Sequence, residues 1–223
     1  MEPYHDRPAT SHDHPPRYWQ TACAELAERD PVLDDLIRTH RSDVLRGSGD
    51  AFRTLVNAIV GQQISVAAAA GIWGRLVDAW PAVSPAQLAA ATQGDLRAVG
   101  LSRRKAEYVV EAAEAFLTGA IDESVWDEHS DDEIRERLTG LRGVGPWTAD
   151  MVLIFHARRA DVLPLGDIGL VNASARLYGW DAATPRPADR RERLERHAER
   201  WRPWRTVATW FIWRDLDVEP VIY

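Results

Sequence analysis

The sequence predicts an all-α fold. Phe52, Leu55, Val56, Ile59 and Val60 follow the spacing i, i+3, i+4, i+7 and i+8, which places them on one face of a helix. Strand alternation is absent, and residues 161–165 form at most a short extended linker. Glycines punctuate the helical segments, and no repeat occurs at the period of a solenoid.

Helix-start signals support the bounds of several predicted elements. Ser84 precedes Pro85 and Gln87, which gives a capping residue, a proline at the first helical position and a glutamine at the third. Ser130 and Glu133 form a second capping box. The predicted helices lie near residues 17–29, 31–40, 51–61, 64–79, 85–91, 93–98, 102–118, 131–139, 146–157, 168–178, 187–200 and 204–214.

Length and composition indicate a globular protein. The 223 residues suit one compact unit or two closely packed subdomains, with 45% apolar and 27% charged residues. Residues 1–16 are predicted to be a disordered leader and 17–223 the folded domain. Apolar runs fall short of the roughly 18 residues that span a membrane, so no membrane partner is expected. The single cysteine, Cys23, excludes a disulfide framework, a cysteine zinc site and a four-cysteine iron–sulfur cluster.

Charge is unevenly distributed. The net charge of −7 argues against a general polyanion binder. Residues 122–137 carry eight acidic and two basic groups, whereas residues 186–205 carry eight arginines and four acids. The second segment suits either a local DNA-binding face or a solvated helix with intrahelical ion pairs, and the sequence leaves both open.

The most informative segment runs from Leu141 to Asp150. Two glycines, Gly143 and Gly145, flank one apolar residue, and a new helix opens with Pro146 in its first turn. Glycines allow a tight hairpin, and the free N–H groups at the next helix start can then bind a phosphate. The alternative is an ordinary corner between two helices, with Val144 as a core residue.

Five sequence blocks, in order, resemble the helix-hairpin-helix DNA glycosylase superfamily, in its 3-methyladenine DNA glycosylase II branch. The hairpin itself is one block, and the loop Leu163–Leu170 resembles the loop that carries the family's catalytic aspartate. The other three blocks are Ala58–Ser65, Gly100–Ala106 and Trp201–Arg205. The resemblance covers roughly residues 45–215.

The resemblance implies two helical subdomains that flank a DNA-binding cleft. The middle of the chain, about residues 50–130, forms one, and the N- and C-terminal parts pack together as the second. The chain is similar to a short form without the N-terminal β-rich domain of longer members. The implied function is base excision repair: a monomer, cytoplasmic and nucleoid-associated in a prokaryote, flips an alkylated base such as 3-methyladenine out of damaged double-stranded DNA and hydrolyses its N-glycosidic bond.

Asp167 is the catalytic candidate. A carboxylate beneath the sugar stabilises the positive charge that develops as the base departs. The alternative is that Asp167 only caps the following helix, and the two roles are compatible. Family members that also cleave the DNA backbone carry lysine at the position of Trp147. Since Trp147 is not a nucleophile, the resemblance implies hydrolysis without lyase activity.

The remaining site residues follow from the same resemblance. Trp147, Met151 and Trp213 line the base pocket, where indoles stack well on electron-poor alkylated purines, although tryptophans of this kind also serve as core residues. Gln63 is the duplex wedge that fills the gap left by the flipped nucleotide, or else a surface residue at a helix start. The hairpin residues that bind the DNA backbone are Gly143, Val144, Gly145 and Thr148. No cofactor or metal is expected, and the sequence leaves open a monovalent cation at the hairpin.

Three other functions compete with this interpretation. A non-catalytic helix-hairpin-helix DNA-binding protein would use the hairpin alone. An iron–sulfur glycosylase/lyase is disfavoured by the single cysteine and by Trp147. A helical protein-interaction domain has only the leader and residues 122–137 in its support.

Overall fold

A computed structural model describes residues 14–180 and 186–216, and within these ranges the chain is helical with no β-strand. The predicted all-α fold is confirmed. Residues 1–13 of the predicted leader lie outside the described residues. The helices are α1 (Trp19–Arg29), α2 (Pro31–Thr39), α3 (Ala51–Gly61), α4 (Val66–Ala79), α5 (Pro85–Ala89), α6 (Gln93–Ala98), α7 (Arg103–Leu117), α8 (Asp131–Thr139), α9 (Pro146–Phe155), α10 (Ile168–Leu177), α11 (Pro187–His197) and α12 (Arg205–Arg214), with 3-10 helices at Glu123–Glu128 and Ala198–Trp201.

Side-chain caps set most helix starts. Both predicted capping boxes are confirmed. Ser84 and Ser130 each accept a hydrogen bond from the main-chain N–H three residues later, and the side chains of Gln87 and Glu133 accept one from the main-chain N–H of Ser84 and Ser130.

No helix in the described ranges is long and apolar enough to cross a lipid bilayer.

The structure corrects several predicted bounds and adds one element. The helix predicted from residue 64 begins at Val66, because Gln63 adopts a left-handed conformation with φ of 58° and Ser65 caps α4. The helix predicted over 187–200 ends at His197 and continues as a 3-10 turn. The acidic segment forms an unpredicted 3-10 helix that buries Trp126, since no helical apolar period marks so short an element.

The helices pack in two groups. In the middle group, α3 packs against α4, α7 and α9, α5 and α6 pack against α7, and α8 packs against α9. In the other group, α12 packs against α1, α2 and α10, while α10 also packs against α11. These are the two predicted helical subdomains. The limits near residues 50 and 130 stay a prediction, and α8 and α9 pack with the middle group.

A buried carboxylate joins distant parts of the second group. Asp30 caps α2, and its Oδ2 accepts hydrogen bonds of 2.9 Å from Tyr178 Oη and from Trp201 Nε1. His197 Nε2 lies 3.3 Å from the same oxygen. Burial raises the pKa of Asp30, but these donors outweigh it and hold the pKa well below the ordinary value. The N- and C-terminal segments therefore share one polar anchor.

Candidate active site

One cavity of about 800 Å³ contains most of the predicted site residues. It lies where the C-terminal end of α3, the starts of α9 and α10, and the end of α12 meet. Of the residues predicted from the sequence, the cavity is lined by Gln63, Gly143, Gly145, Trp147, Thr148, Met151, Asp167 and Trp213. Val144 is the one predicted site residue outside this lining.

Asp167 uses its two carboxylate oxygens differently. Oδ1 accepts a 2.7 Å hydrogen bond from the Leu170 N–H and so caps α10, as the sequence predicts. Oδ2 accepts a 3.0 Å bond from Trp147 Nε1. The loop before Asp167 is supported from α11, where Arg191 Nε donates a hydrogen bond to the Leu165 carbonyl at 3.0 Å. The carboxylate is therefore held in one orientation at the cavity wall.

Two glycines leave space for the Trp147 side chain. A Cβ on Gly166 would lie 3.2 Å from the Cβ of Trp147, and a Cβ on Gly61 would lie 3.9 Å from its Cη2. Close approach at Gly166 brings the Asp167 loop against the start of α9, within reach of the indole N–H. Sequence reasoning missed this role of Gly61 and Gly166, although each belongs to one of the resembling blocks.

The cavity lining also includes an aromatic pair that the sequence indicated only in part. Trp213 stacks on Phe155 with ring centroids 6.0 Å apart and an interplanar angle of 7°. Met151 is only 1% exposed, one helical turn before Phe155 on α9. Phe155 also lines the cavity, and its spacing of i+4 from Met151 was the available signal.

Arg214 adds a cationic group to this lining. It lines the cavity, and its Cζ lies 4.4 Å from the centroid of the Trp210 ring. Its buried Nε has no hydrogen-bond partner among the described residues. Burial lowers the pKa of Arg214. No motif or spacing in the sequence indicates that this arginine lies beside the pocket.

The hairpin leaves main-chain donors unpaired at the start of α9 in the described part of the chain. Gly143 has φ of +83°, and a Cβ there would lie 2.1 Å from Tyr108 Cδ2. The Val144 side chain is buried, and its N–H donates to the Leu141 carbonyl at 3.1 Å. In the described part of the chain, no acceptor pairs with the N–H groups of Trp147 and Thr148. The hairpin thus combines a core residue with a helix start that can bind an anion.

An ion pair connects the two helices that flank the hairpin. Arg135 on α8 donates from Nε to Oδ1 of the buried Asp150 on α9 at 3.0 Å. Burial raises the pKa of Asp150 to about 6, while the guanidinium acts in the opposite direction. The ion pair between Arg135 and Asp150 fixes α8 against α9 and with it the geometry of the turn between them.

The loop after α3 is fastened to the hairpin. Gln62 Nε2 donates to the Gly143 carbonyl and to Thr148 Oγ1, both at 2.9 Å. Lys105 Nζ donates to the carbonyls of Val60 at 2.7 Å and of Gln62 at 2.8 Å. Burial lowers the pKa of Lys105. Neither Gln62 nor Lys105 was predicted as a site residue, because both act through residues distant in sequence.

Comparison with known proteins decides the family. Residues 56–203 match the HhH-GPD family model, described as the HhH-GPD superfamily base excision DNA repair protein. The chain belongs to the HhH-GPD superfamily. The five-block resemblance to DNA glycosylases of this superfamily is confirmed.

Two relatives and one solved structure illustrate the match. The chain is 30% identical over 186 residues to DNA-3-methyladenine glycosylase 1 of Schizosaccharomyces pombe, covering 82% of this chain and 79% of that protein. It is 32% identical over 180 residues to DNA-3-methyladenine glycosylase 2 of Escherichia coli, covering 76% and 59% respectively. The structure of S. pombe Mag1 in complex with abasic DNA superposes with a TM-score of 0.76 at 25% identity, covering 89% and 97%. Two Bacillus subtilis relatives are each matched over 66% of their length.

In the described part of the chain, four of the eight arginines of residues 186–205 of this HhH-GPD protein pair with acids: Arg186, Arg196, Arg202 and Arg205. Arg186 contacts Asp189 at 2.7 Å, and both Arg202 and Arg205 contact Asp161. The two Asp161 pairs join residues 41 and 44 positions apart, so they are tertiary contacts and not the intrahelical pairs of the second interpretation. The local DNA-binding face stays a prediction.

Within residues 14–180 and 186–216, no group of three or more histidine, cysteine, aspartate or glutamate side chains could hold a metal ion. A monovalent cation at the hairpin carbonyls, which the resemblance allows, stays a prediction.

Proposed function

We propose that the protein is a monofunctional DNA glycosylase of base excision repair. It extrudes an alkylated base from damaged double-stranded DNA and hydrolyses the N-glycosidic bond, leaving an abasic site. The observation that carries the proposal is the Asp167 carboxylate, hydrogen-bonded to Trp147 Nε1 at the wall of an aromatic-lined cavity. The relatives named as DNA-3-methyladenine glycosylases support the same reaction.

The chemistry requires a negative group beneath the sugar. As the base departs, positive charge develops on the deoxyribose, and a carboxylate already in place stabilises it without reorganisation. Two donors orient Asp167, the Leu170 N–H and the Trp147 indole. The carboxylate also serves to orient the attacking water, whose oxygen forms the new bond to the anomeric carbon while the glycosidic electron pair leaves with the base.

The DNA strand is held by the main chain of the hairpin. The free N–H groups of Trp147 and Thr148 lie at the positive end of α9, which favours a phosphate. Trp147 therefore contributes its main chain to the strand and its side chain to the base pocket. Bound DNA in the Mag1 structure is consistent with this use of the fold.

Lyase activity is not expected. Lyase chemistry requires an amine that attacks the sugar to form a Schiff base. Lys105 is the single lysine of the sequence, and its ammonium donates to two main-chain carbonyls instead of lining the cavity. Borohydride treatment during turnover should therefore trap no covalent adduct with DNA.

The substrate class is alkylated purine. The indoles of Trp147 and Trp213 offer electron-rich faces on which an electron-poor base stacks, an interaction on the order of 1 kcal/mol or more when desolvated. The protein acts as a monomer and without a cofactor. A panel of duplexes containing 3-methyladenine, 7-methylguanine, 1-methyladenine, hypoxanthine or ethenoadenine, with released base measured, defines the range.

The decisive experiment compares wild type with Asp167→Asn on this panel. Asparagine caps a helix as well as aspartate does, so α10 should persist while the charge is lost. Single-turnover release of the preferred base should fall by about 1,000-fold or more. Asp50→Asn, the same change at the cap of α3, is the control and should release base at the wild-type rate. Equal release by Asp167→Asn and wild type would overturn the catalytic role of Asp167, whereas no release by wild type would leave a non-catalytic DNA-binding protein.

A further inference from the structure

Lys105 makes an unusual connection for the only lysine in the chain. It lies in the first turn of α7, yet its ammonium reaches the C-terminal end of α3 and donates to the carbonyls of Val60 and Gln62. Main-chain carbonyls at a helix C-terminus have no intrahelical donor and carry the negative end of the helix dipole. A cation there fixes the direction in which the chain leaves α3.

Gln62 continues the connection to the hairpin. Its main-chain carbonyl receives Lys105, while its side-chain amide donates to the Gly143 carbonyl and to Thr148 Oγ1. One residue thus couples α7, the end of α3 and the DNA-binding turn. The bonds are short, and the Thr148 side chain that receives one of them is buried.

Gln63 is the next residue along the chain. It is exposed, lines the cavity and has φ of 58°, a conformation that costs energy for a residue with a Cβ. Such a conformation persists where neighbouring contacts determine it. Gln63 itself has no hydrogen bond within the described residues. Its conformation is therefore determined by the preceding residue, Gln62, which is held by the hairpin and by Lys105.

We propose that Lys105 and Gln62 are positioning residues that hold Gln63 rigid as a wedge against the DNA duplex. We call these two residues, Lys105 and Gln62, the brace. The inference rests on the proposed function and goes beyond it, because it names the residues that support duplex opening. A wedge must resist the return of the extruded nucleotide to the base stack, and a flexible loop would yield to it. Fastening the wedge to the hairpin also fixes its distance from the phosphates held there.

The test separates duplex opening from chemistry. Single-turnover base release is measured with the preferred lesion in two duplexes, one with the lesion base-paired and one with it opposite an abasic-site analogue. Extrusion costs least when the target base has no pairing partner. Lys105→Met and Gln62→Met each remove one part of the brace and keep an unbranched side chain. Arg97→Met, which removes a positive charge from the exposed face of α6, is the matched control.

Loss of the brace should act mainly on the paired substrate. We expect Lys105→Met and Gln62→Met to slow release from the paired duplex by about tenfold or more, and release from the unpaired site by less than about threefold. Arg97→Met should slow neither. A purely structural role would lower both rates alike, because it would reduce the fraction of folded enzyme. Equal losses on the two substrates, or no loss on either, would overturn the proposal. If Lys105→Met does not fold, Gln62→Met alone decides.

The two proposals fail in different ways. If wild type releases no base from either duplex, the proposed function is wrong; if Asp167→Asn remains fully active, the catalytic role of Asp167 is wrong. If wild type is active, Asp167→Asn is inactive, and the two brace variants lose paired and unpaired release equally, only the positioning role is overturned.

Discussion

The Trp147 indole does two things at the residue scale. Its ring lines the cavity, and its N–H donates to the Asp167 oxygen that is not used to cap α10. A hydrogen bond to a charged group contributes more than one between neutral groups, so the N–H has a measurable share in orienting the carboxylate. The two roles of Trp147 can be separated by a change that keeps an aromatic ring.

Trp147→Phe should lower the rate of base release without abolishing it. The substitution keeps a ring in the pocket but removes the donor to Asp167, which we expect to reduce kcat by about tenfold. Single-turnover kinetics under saturating enzyme measure this rate. Trp204→Phe is the control, since it removes a 2.8 Å bond from an indole N–H to Glu25 away from the cavity. Equal rates for Trp147→Phe and wild type would show that the indole N–H does not assist the carboxylate.

At the element scale, the two hairpin glycines have different physical roles. Gly143 needs its left-handed conformation, and Tyr108 occupies the space where a side chain would begin. Gly145 has φ of −97°, and apart from Gly145 itself and its two chain neighbours no described residue has an atom within 4 Å of its Cβ position. The first glycine is required by the fold, whereas the second leaves the hairpin surface clear.

Alanine at each position should therefore give opposite results. We expect Gly143→Ala to lower the free energy of unfolding by about 3 kcal/mol, from backbone strain and the clash with Tyr108. Gly145→Ala should change it by less than about 0.5 kcal/mol but weaken DNA binding about tenfold, because a methyl group would hinder the approach of a phosphate. Urea unfolding and fluorescence anisotropy with abasic DNA measure the two effects. If Gly145→Ala bound DNA normally, the hairpin surface would not be the DNA contact.

The helices themselves were largely predictable from local signals. Caps at Ser84 and Ser130 and the apolar stripe of α3 act within one or two turns, so sequence reasoning located these elements correctly. The start of α4 was placed too early because the left-handed conformation of Gln63 depends on its surroundings. Boundaries fail where tertiary contacts determine the backbone.

The site was predictable only where a motif marked it. Asp167, Trp147 and the hairpin stood in recognisable blocks, and the structure brings them to one cavity. Lys105 and Gln62 belong to such blocks too, but their partners lie 43 and 81 residues away, at the Gln62 and Gly143 carbonyls. Contacts between residues so far apart in the chain produce no periodic pattern in a single sequence, so sequence reasoning could not find them.

At the scale of the whole molecule, the cavity needs both helix groups. Gln63 and Trp147 belong to the middle group, whereas Asp167 and Trp213 belong to the second. Whatever fixes the second group therefore also fixes the carboxylate relative to the hairpin. Asp30 is such an anchor, because it joins the start of α2 to Tyr178, His197 and Trp201.

Asp30 should make stability depend on acid pH. Its pKa lies below the ordinary value in the folded state, so its stabilising contribution is complete above the unfolded pKa of about 3.9 and is lost as pH falls through the folded pKa. Asp30→Asn removes the charge. It also places an amide, which accepts through one oxygen only, among side chains that all donate to the carboxylate. We expect it to lower the free energy of unfolding by about 3 kcal/mol near neutral pH, and by progressively less as the pH falls below about 4.

Urea unfolding of wild type and Asp30→Asn at neutral pH and at about pH 3 measures this difference. Asp34→Asn on the same helix is the matched control. Among the described residues Asp34 pairs only with the exposed Arg38, so it should contribute less than about 1 kcal/mol at either pH. The wild-type curve should approach that of Asp30→Asn as acid protonates the carboxylate. A difference between them that stayed constant down to about pH 3 would mean that the packing of this side chain, and not its charge, anchors the N-terminal helices to the half of the cavity that carries Asp167.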